Sequence, residues 1–226
     1  MMFPQTVAIL LLAGLTTGCV VESASRPGRA PQQEAGRSST SQRLDPRQAA
    51  RLERVMAPLL RATNSPRRLS EIRVSIVADP DSNAASGGGG EFFVTTGLLE
   101  KASDEQLRGV LAHEIAHDDL GHSASAQVLG TGLNLGVILL EQLIPGSSAI
   151  TPIAGTLIAR GYSRSEEYEA DRHGVEILRR AGYSKQVMIN ALEWVMRTSK
   201  NGDGGGGFLS THPATGDRIE ALRRMG

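Results

Sequence analysis

The segment His113-Glu114-Ile115-Ala116-His117 constrains this chain more than any other feature of its sequence. Residues four positions apart lie on one face of an α-helix, so His113 and His117 can bind one metal ion, with Glu114 beside them. Zinc suits that ligand type and spacing. The apolar neighbours Leu111 and Ile115 indicate a buried segment, and buried imidazoles need a polar partner that a metal supplies. The segment therefore predicts a helix that carries one zinc ion per chain.

A catalytic zinc site takes three protein ligands and leaves one position for water, so a third ligand has to come from elsewhere in the chain. His122, His173, His212 and several carboxylates compete for this position. Only four residues separate His117 from His122, which does not fit an astacin-like motif. We interpret His122 as structural, or as a residue that supports a ligand from behind.

Glu167 is better placed to be the third ligand. Glu167 and Asp171 lie one turn apart, on a helix that the capping-box pair Ser163 and Glu166 predicts. Glu167 can therefore bind the metal while Asp171 holds the second ring nitrogen of a histidine ligand.

The remaining pattern predicts an α+β fold, mostly helical, with a small β-sheet beside the two zinc-bearing helices. A first helix should begin at Asp45-Pro46, and alternating β-branched residues at 72–77 suit a strand. Residues 128–158 are apolar and glycine-rich. We expect two helices there that pack against the domain or contact the membrane surface, and neither should span the membrane.

The N-terminus resembles that of a bacterial lipoprotein. A short apolar run is followed by small residues and Cys19, the only cysteine, as in a lipobox. We expect a signal peptide at 1–18, a disordered tether at 19–43 and one folded domain at 44–226. The expected location is the outer membrane, facing the periplasm and anchored by lipid on Cys19.

The charge balance and the glycine-rich segments argue against nucleic-acid binding and nucleotide binding. Lys and Arg number 24 and balance 24 Asp and Glu, so nothing favours a nucleic-acid partner. The glycine-rich residues 87–90 and 201–207 lack the lysine and serine order of a phosphate-binding loop, and we interpret both as flexible connectors.

These motifs together resemble the gluzincin metallopeptidase family that includes HtpX, the CAAX prenyl proteases and the periplasmic proteases BepA and LoiP. The resemblance extends from about residue 52 to the end of the chain. It rests on Asn83-Ala84, Val94-Thr95-Thr96-Gly97-Leu98-Leu99, His113 to His117 with His122, Ser163-Arg164, Glu167 to Asp171, Thr211-His212-Pro213 and Arg218-Ile219.

The resemblance implies a zincin-like peptidase domain, with His113, His117 and Glu167 as ligands, Glu114 as general base and Asp171 behind a ligand. Glu114 would take a proton from the attacking water and return it to the leaving amine. In BepA-like relatives a histidine in the context of His212 can approach the metal and displace water, so His212 either regulates the site or is structural.

The predicted second strand, consisting of Glu91, Phe92, Phe93, Val94 and Thr95, is a candidate edge strand for substrate. Binding by main-chain hydrogen bonds would favour unfolded or misfolded proteins as substrates, in envelope quality control. The alternative is a non-catalytic, chaperone-like protein for envelope clients in which the same zinc is structural.

Overall fold

The computed structural model describes residues 46–122, 126–129, 137–139, 153–154, 156–159, 161–200, 207–213 and 215–226. The predicted signal peptide, the tether and Cys19 lie outside these residues. Among the helices in this part of the chain, none combines the length and hydropathy needed to cross a bilayer.

The described elements follow in chain order, with a single 3-10 turn at Leu69–Glu71 between the first helix and the first strand. The helices are α1 Pro46–Leu60, α2 Thr96–Lys101, α3 Asp104–Leu120, α4 Arg164–Arg180, α5 Gln186–Lys200, α6 Phe208–Thr211 and α7 Thr215–Arg224. The strands are β1 Arg73–Ala78, β2 Ala84–Gly88, β3 Glu91–Thr95, β4 Ala126–Leu129, β5 Val137–Leu139, β6 Ile153–Ala154 and β7 Thr156–Ala159. The prediction of a mostly helical α+β fold is confirmed.

The main sheet has the order β2-β3-β1-β5, and β6 also pairs with β1. β3 runs parallel to β1 and antiparallel to β2, so it is paired on both sides. The prediction that residues 91–95 form an edge strand is therefore wrong. Residues 87–90 are also more than a connector, since Gly87 and Gly88 end β2, and the turn into β3 uses positive φ at Gly88, Gly89 and Gly90.

The helices expected within residues 128–158 are also wrong for every part that the structure describes. β5 pairs with β1, while β4 and β7 form a separate antiparallel pair. Short apolar runs do not distinguish helix from strand by periodicity, and β-branched residues such as Val137 and Ile138 favour strands.

Helix α3 lies at the centre of the domain and packs against α4 and α5. Its start follows the predicted capping box, in which Ser103 and Gln106 satisfy each other's backbone N–H groups. Gly174 of α4 permits close approach to α3, because a Cβ there would lie 3.2 Å from the carbonyl oxygen of Ala112 and 2.5 Å from Met188 Cε. This close packing brings residues of α3 and α4 into one site.

Candidate metal centre

The buried faces of α3 and α4 bring the predicted metal-site residues together. His113, Glu114 and His117 from α3 and Glu167 from α4 are all 0% exposed. Asp171 follows Glu167 by one helical turn and is also buried. His212, directly after α6, is buried in the same cluster.

Four side chains each place one donor atom within 4.8 Å of the others. The Nε2 atoms of His113 and His117 are 3.0 Å apart, and each lies 3.5 Å from a carboxylate oxygen of Glu167. His212 Nδ1 lies 3.2 Å from His113 Nε2 and 2.9 Å from Glu167 Oε1. Tetrahedral zinc with bonds of about 2.0–2.1 Å places its ligand atoms about 3.3 Å apart. The spacing and chemistry of this donor set therefore fit zinc.

A buried arginine from α7 supports the side of the cluster behind His113. Arg218 donates two hydrogen bonds to Asp171, each of 2.7 Å, and forms an ion pair with Glu167. Asp171 Oδ1 lies in turn 3.0 Å from His113 Nδ1. Burial alone would raise the pKa of Asp171, but the hydrogen bonds from Arg218 and His113 lower it below its usual range. Asp171 therefore stays charged and keeps the hydrogen of His113 on Nδ1.

The two histidines on α3 have opposite pKa shifts. Burial acts to lower the pKa of His113, but hydrogen bonds with Asp171 and Glu167 raise it to about 9. Burial, together with the charge of His113, lowers the pKa of His117 to about 2. The two side chains therefore differ strongly in basicity, although they lie on one face of the same helix.

Glu114 lies beside the donor atoms and has its own partners. The backbone N–H of Ser86, in β2, donates to Glu114 Oε2 at 2.9 Å, and His212 Nε2 lies 3.2 Å from Glu114 Oε1. Burial raises the pKa of Glu114, although nearby His212 and His113 act in the opposite direction. A carboxylate with a raised pKa is a better proton acceptor than an exposed one.

Aromatic rings enclose the cluster. The Tyr162 ring stacks on His117 with centroids 3.6 Å apart, and the Phe208 ring stacks on His212 at 4.1 Å. The Tyr162 hydroxyl is buried without a hydrogen-bond partner in the described part of the chain.

Sequence reasoning missed the roles of Ser86, Tyr162 and Phe208, because none of them belongs to a recognisable ligand pattern. Arg218 entered only as part of a motif. The sequence did contain a signal for Arg218. This charged residue precedes the apolar Ile219 in α7, and both are buried, which is unusual for an arginine without a partner.

A histidine pair with a glutamate between them, joined by a carboxylate from a second helix, defines the metal site of a metallopeptidase. The profile described as peptidase family M48 matches residues 46–226. The chain is 30% identical to a protease HtpX homolog of Burkholderia thailandensis, over 84% of this chain and 79% of the relative. It is 34% identical to the mitochondrial metalloendopeptidase OMA1 of Bos taurus over 70% of this chain, although it spans only 33% of that protein's length.

The chain belongs to peptidase family M48. It is accordingly a zinc-dependent metalloendopeptidase that acts on protein substrates.

Proposed function

We propose that His113, His117 and Glu167 hold the zinc ion and that Glu114 is the general base for peptide-bond hydrolysis. The observation that carries this proposal is the convergence of three buried donor atoms from α3 and α4 next to a buried carboxylate. Asp171 would hold His113 in the tautomer that leaves Nε2 free to bind metal.

When bound, zinc would polarise the scissile carbonyl and lower the pKa of a water molecule that it holds. Glu114 accepts a proton from the attacking water and returns it to the leaving amine. The Ser86 N–H fixes Oε2 of Glu114, so Oε1, which faces His212 in this conformation, is the oxygen left for proton transfer once His212 moves away.

The edge strand that would bind substrate is β2, since β3 lies inside the sheet. β2 pairs only with β3 among the described strands, and its residue Ser86 contacts the proposed base. An extended segment added beside β2 would be held by main-chain hydrogen bonds and would lie close to Glu114. This arrangement supports unfolded or misfolded proteins as the substrate class.

Replacing Glu114 by Gln tests the assignment of the base. The variant should keep its zinc, because Glu114 is not one of the proposed ligands, while casein cleavage by the purified full-length protein falls about 10²–10⁴-fold. Zinc content and cleavage are measured on the same samples. Wild-type cleavage by a zinc-loaded Glu114→Gln protein would refute the assignment.

His212 makes the proposed enzyme latent in this conformation. Its Nδ1 lies 3.2 Å from His113 Nε2, among the proposed ligand atoms, and its Nε2 faces Glu114. The attacking water and Glu114 therefore cannot act together until His212 moves away. His212→Ala should raise casein cleavage several-fold while zinc remains bound, and unchanged or lower cleavage by a folded, zinc-loaded variant would remove this regulatory role.

The second candidate function is chaperone-like binding of clients by a latent form that does not cleave them. It is favoured by the same four convergent donors, since structural zinc sites are closed by four protein ligands. Equal amounts of protein and unfolded client would then prevent client aggregation without peptide products. If the wild-type protein forms peptide products and Glu114→Gln does not, the result favours the peptidase.

We further propose that the protein works at the periplasmic face of the outer membrane, in envelope protein quality control, with lipid attached to Cys19. The support is the lipobox-like sequence ending at Cys19. Incorporation of labelled palmitate into the wild-type protein, and its absence in Cys19→Ser, tests the anchor. Equal labelling of both proteins would exclude Cys19 as its site.

A further inference from the structure

The two proposed histidine ligands differ in what supports them. The Nδ1 atom of His113 faces a carboxylate, Asp171. The Nδ1 atom of His117 instead faces the Nδ1 atom of another histidine, His122, at 2.9 Å. His122 is nearly buried, with 8% of its side chain exposed.

The end of α3 places His122 at this position. The chain leaves the helix through Gly121, whose φ of 70° lies in the left-handed region. The N–H of Gly121 then donates to the carbonyl of Asp118 and the N–H of His122 to that of His117, at 3.1 and 3.0 Å. These two bonds form a Schellman motif, in which the residue after the turn packs against the residue five positions earlier. His122 therefore returns to His117 because of local backbone geometry.

The protonation of this pair follows from the position of the donor atoms. If His117 binds zinc through Nε2, its hydrogen has to be on Nδ1, because a neutral imidazole carries one hydrogen. That hydrogen needs an acceptor, and His122 Nδ1 is within hydrogen-bond distance. His122 must then carry its own hydrogen on Nε2, which lies 3.6 Å from Glu169 Oε2.

We propose that His122 is a positioning residue that fixes the tautomer and ring orientation of His117 for metal binding. The inference rests on the proposed role of His117 as a ligand. A ligand that lacks a partner for its second nitrogen loses orientation, and it can also adopt the tautomer that places hydrogen on Nε2 and cannot bind metal. His122 acts through His117 and does not touch substrate or metal.

Zinc affinity of the full-length protein, measured by competition with a chelator, tests this role. His122→Leu removes the acceptor and should weaken zinc binding about 10–100-fold. His122→Asn keeps an acceptor atom at the position of Nδ1 and should recover most of this loss. The matched control is His173→Gln, because His173 is a buried histidine on α4 that contacts Asp119 and not the donor atoms. Its zinc affinity should equal that of the wild type.

The difference between the Leu and Asn variants is the decisive result, because a role in packing alone would not distinguish them. Equal zinc affinity of both variants, whether weakened or not, would overturn the positioning role. His117→Ala in the same assay separates this inference from the proposed function. Loss of zinc in His117→Ala with wild-type affinity in His122→Leu overturns the positioning role alone, whereas wild-type affinity in His117→Ala overturns both.

Discussion

The two sides of the metal centre are held by different means. Behind His113, Asp171 of α4 and Arg218 of α7 form a buried ion pair that joins three helices. Behind His117, the support comes from His122, which lies directly after the same helix, and His122 in turn faces Glu169, whose side chain is 49% exposed. The first support depends on the tertiary fold, and the second depends mainly on how one helix ends.

This difference has an energetic consequence. Charges buried on the His113 side are costly unless every partner is present, because desolvation of an unpaired ion is not repaid. The His117 side uses two imidazoles and one carboxylate near solvent, where an electrostatic contact contributes little to the free energy of unfolding. Substitutions on the His113 side should therefore affect both folding and metal binding, and those on the His117 side mainly metal binding.

Arg218→Met should have the largest effect, because it leaves Asp171 and Glu167 as buried charges without their cation. We expect a loss of about 3–5 kcal/mol in the free energy of unfolding, measured by urea denaturation in the presence of a chelator. Glu169→Gln is the control on the His117 side and should change that free energy by about 0.5 kcal/mol or less. Similar losses in both variants would contradict the contrast between the two sides.

Gly174→Ala tests whether the His113 side depends on close packing of α4 against α3. The new methyl group would press on Met188, which can move, and on the carbonyl of Ala112, which cannot. We expect a loss of about 1–3 kcal/mol in the free energy of unfolding and weaker zinc binding, since Glu167 and Asp171 lie on the displaced helix.

Gly216→Ala is the matched control for this substitution. Gly216 is also helical, but nothing lies within 4 Å of the position of its Cβ. The Gly216→Ala protein should gain about 0.4–1 kcal/mol in the free energy of unfolding, because alanine restricts the unfolded chain. A destabilisation of Gly216→Ala equal to that of Gly174→Ala would show that crowding against α3 is not the cause.

The same division explains what could be predicted from the sequence. The α3 segment, its capping box and the pairing of Glu167 with Asp171 on one helical turn depend on local spacing, and the structure places them as expected. Arg218 could not be assigned to Asp171, because 46 residues of chain lie between them and periodicity carries no information on tertiary contacts. The edge strand was misplaced for a related reason. Glycines in β2 indicate a loop by propensity, while pairing with β3 makes them a strand.

Tyr162→Phe should have only a small effect on the free energy of unfolding and tests what closes the His117 side. The Tyr162 ring stacks on His117, whereas its hydroxyl has no hydrogen-bond partner among the described residues. Removing a buried hydroxyl that makes no hydrogen bond relieves a desolvation cost, so Phe should leave the free energy of unfolding unchanged or raise it by up to about 1 kcal/mol.

Tyr162→Ala removes the ring as well and should lose about 3–5 kcal/mol in the free energy of unfolding. Zinc affinity should follow the ring and not the hydroxyl, because contact with the ring limits rotation of His117. A Phe variant that is as destabilised as the Ala variant would mean that the hydroxyl, and not the aromatic face, supports this side of the centre.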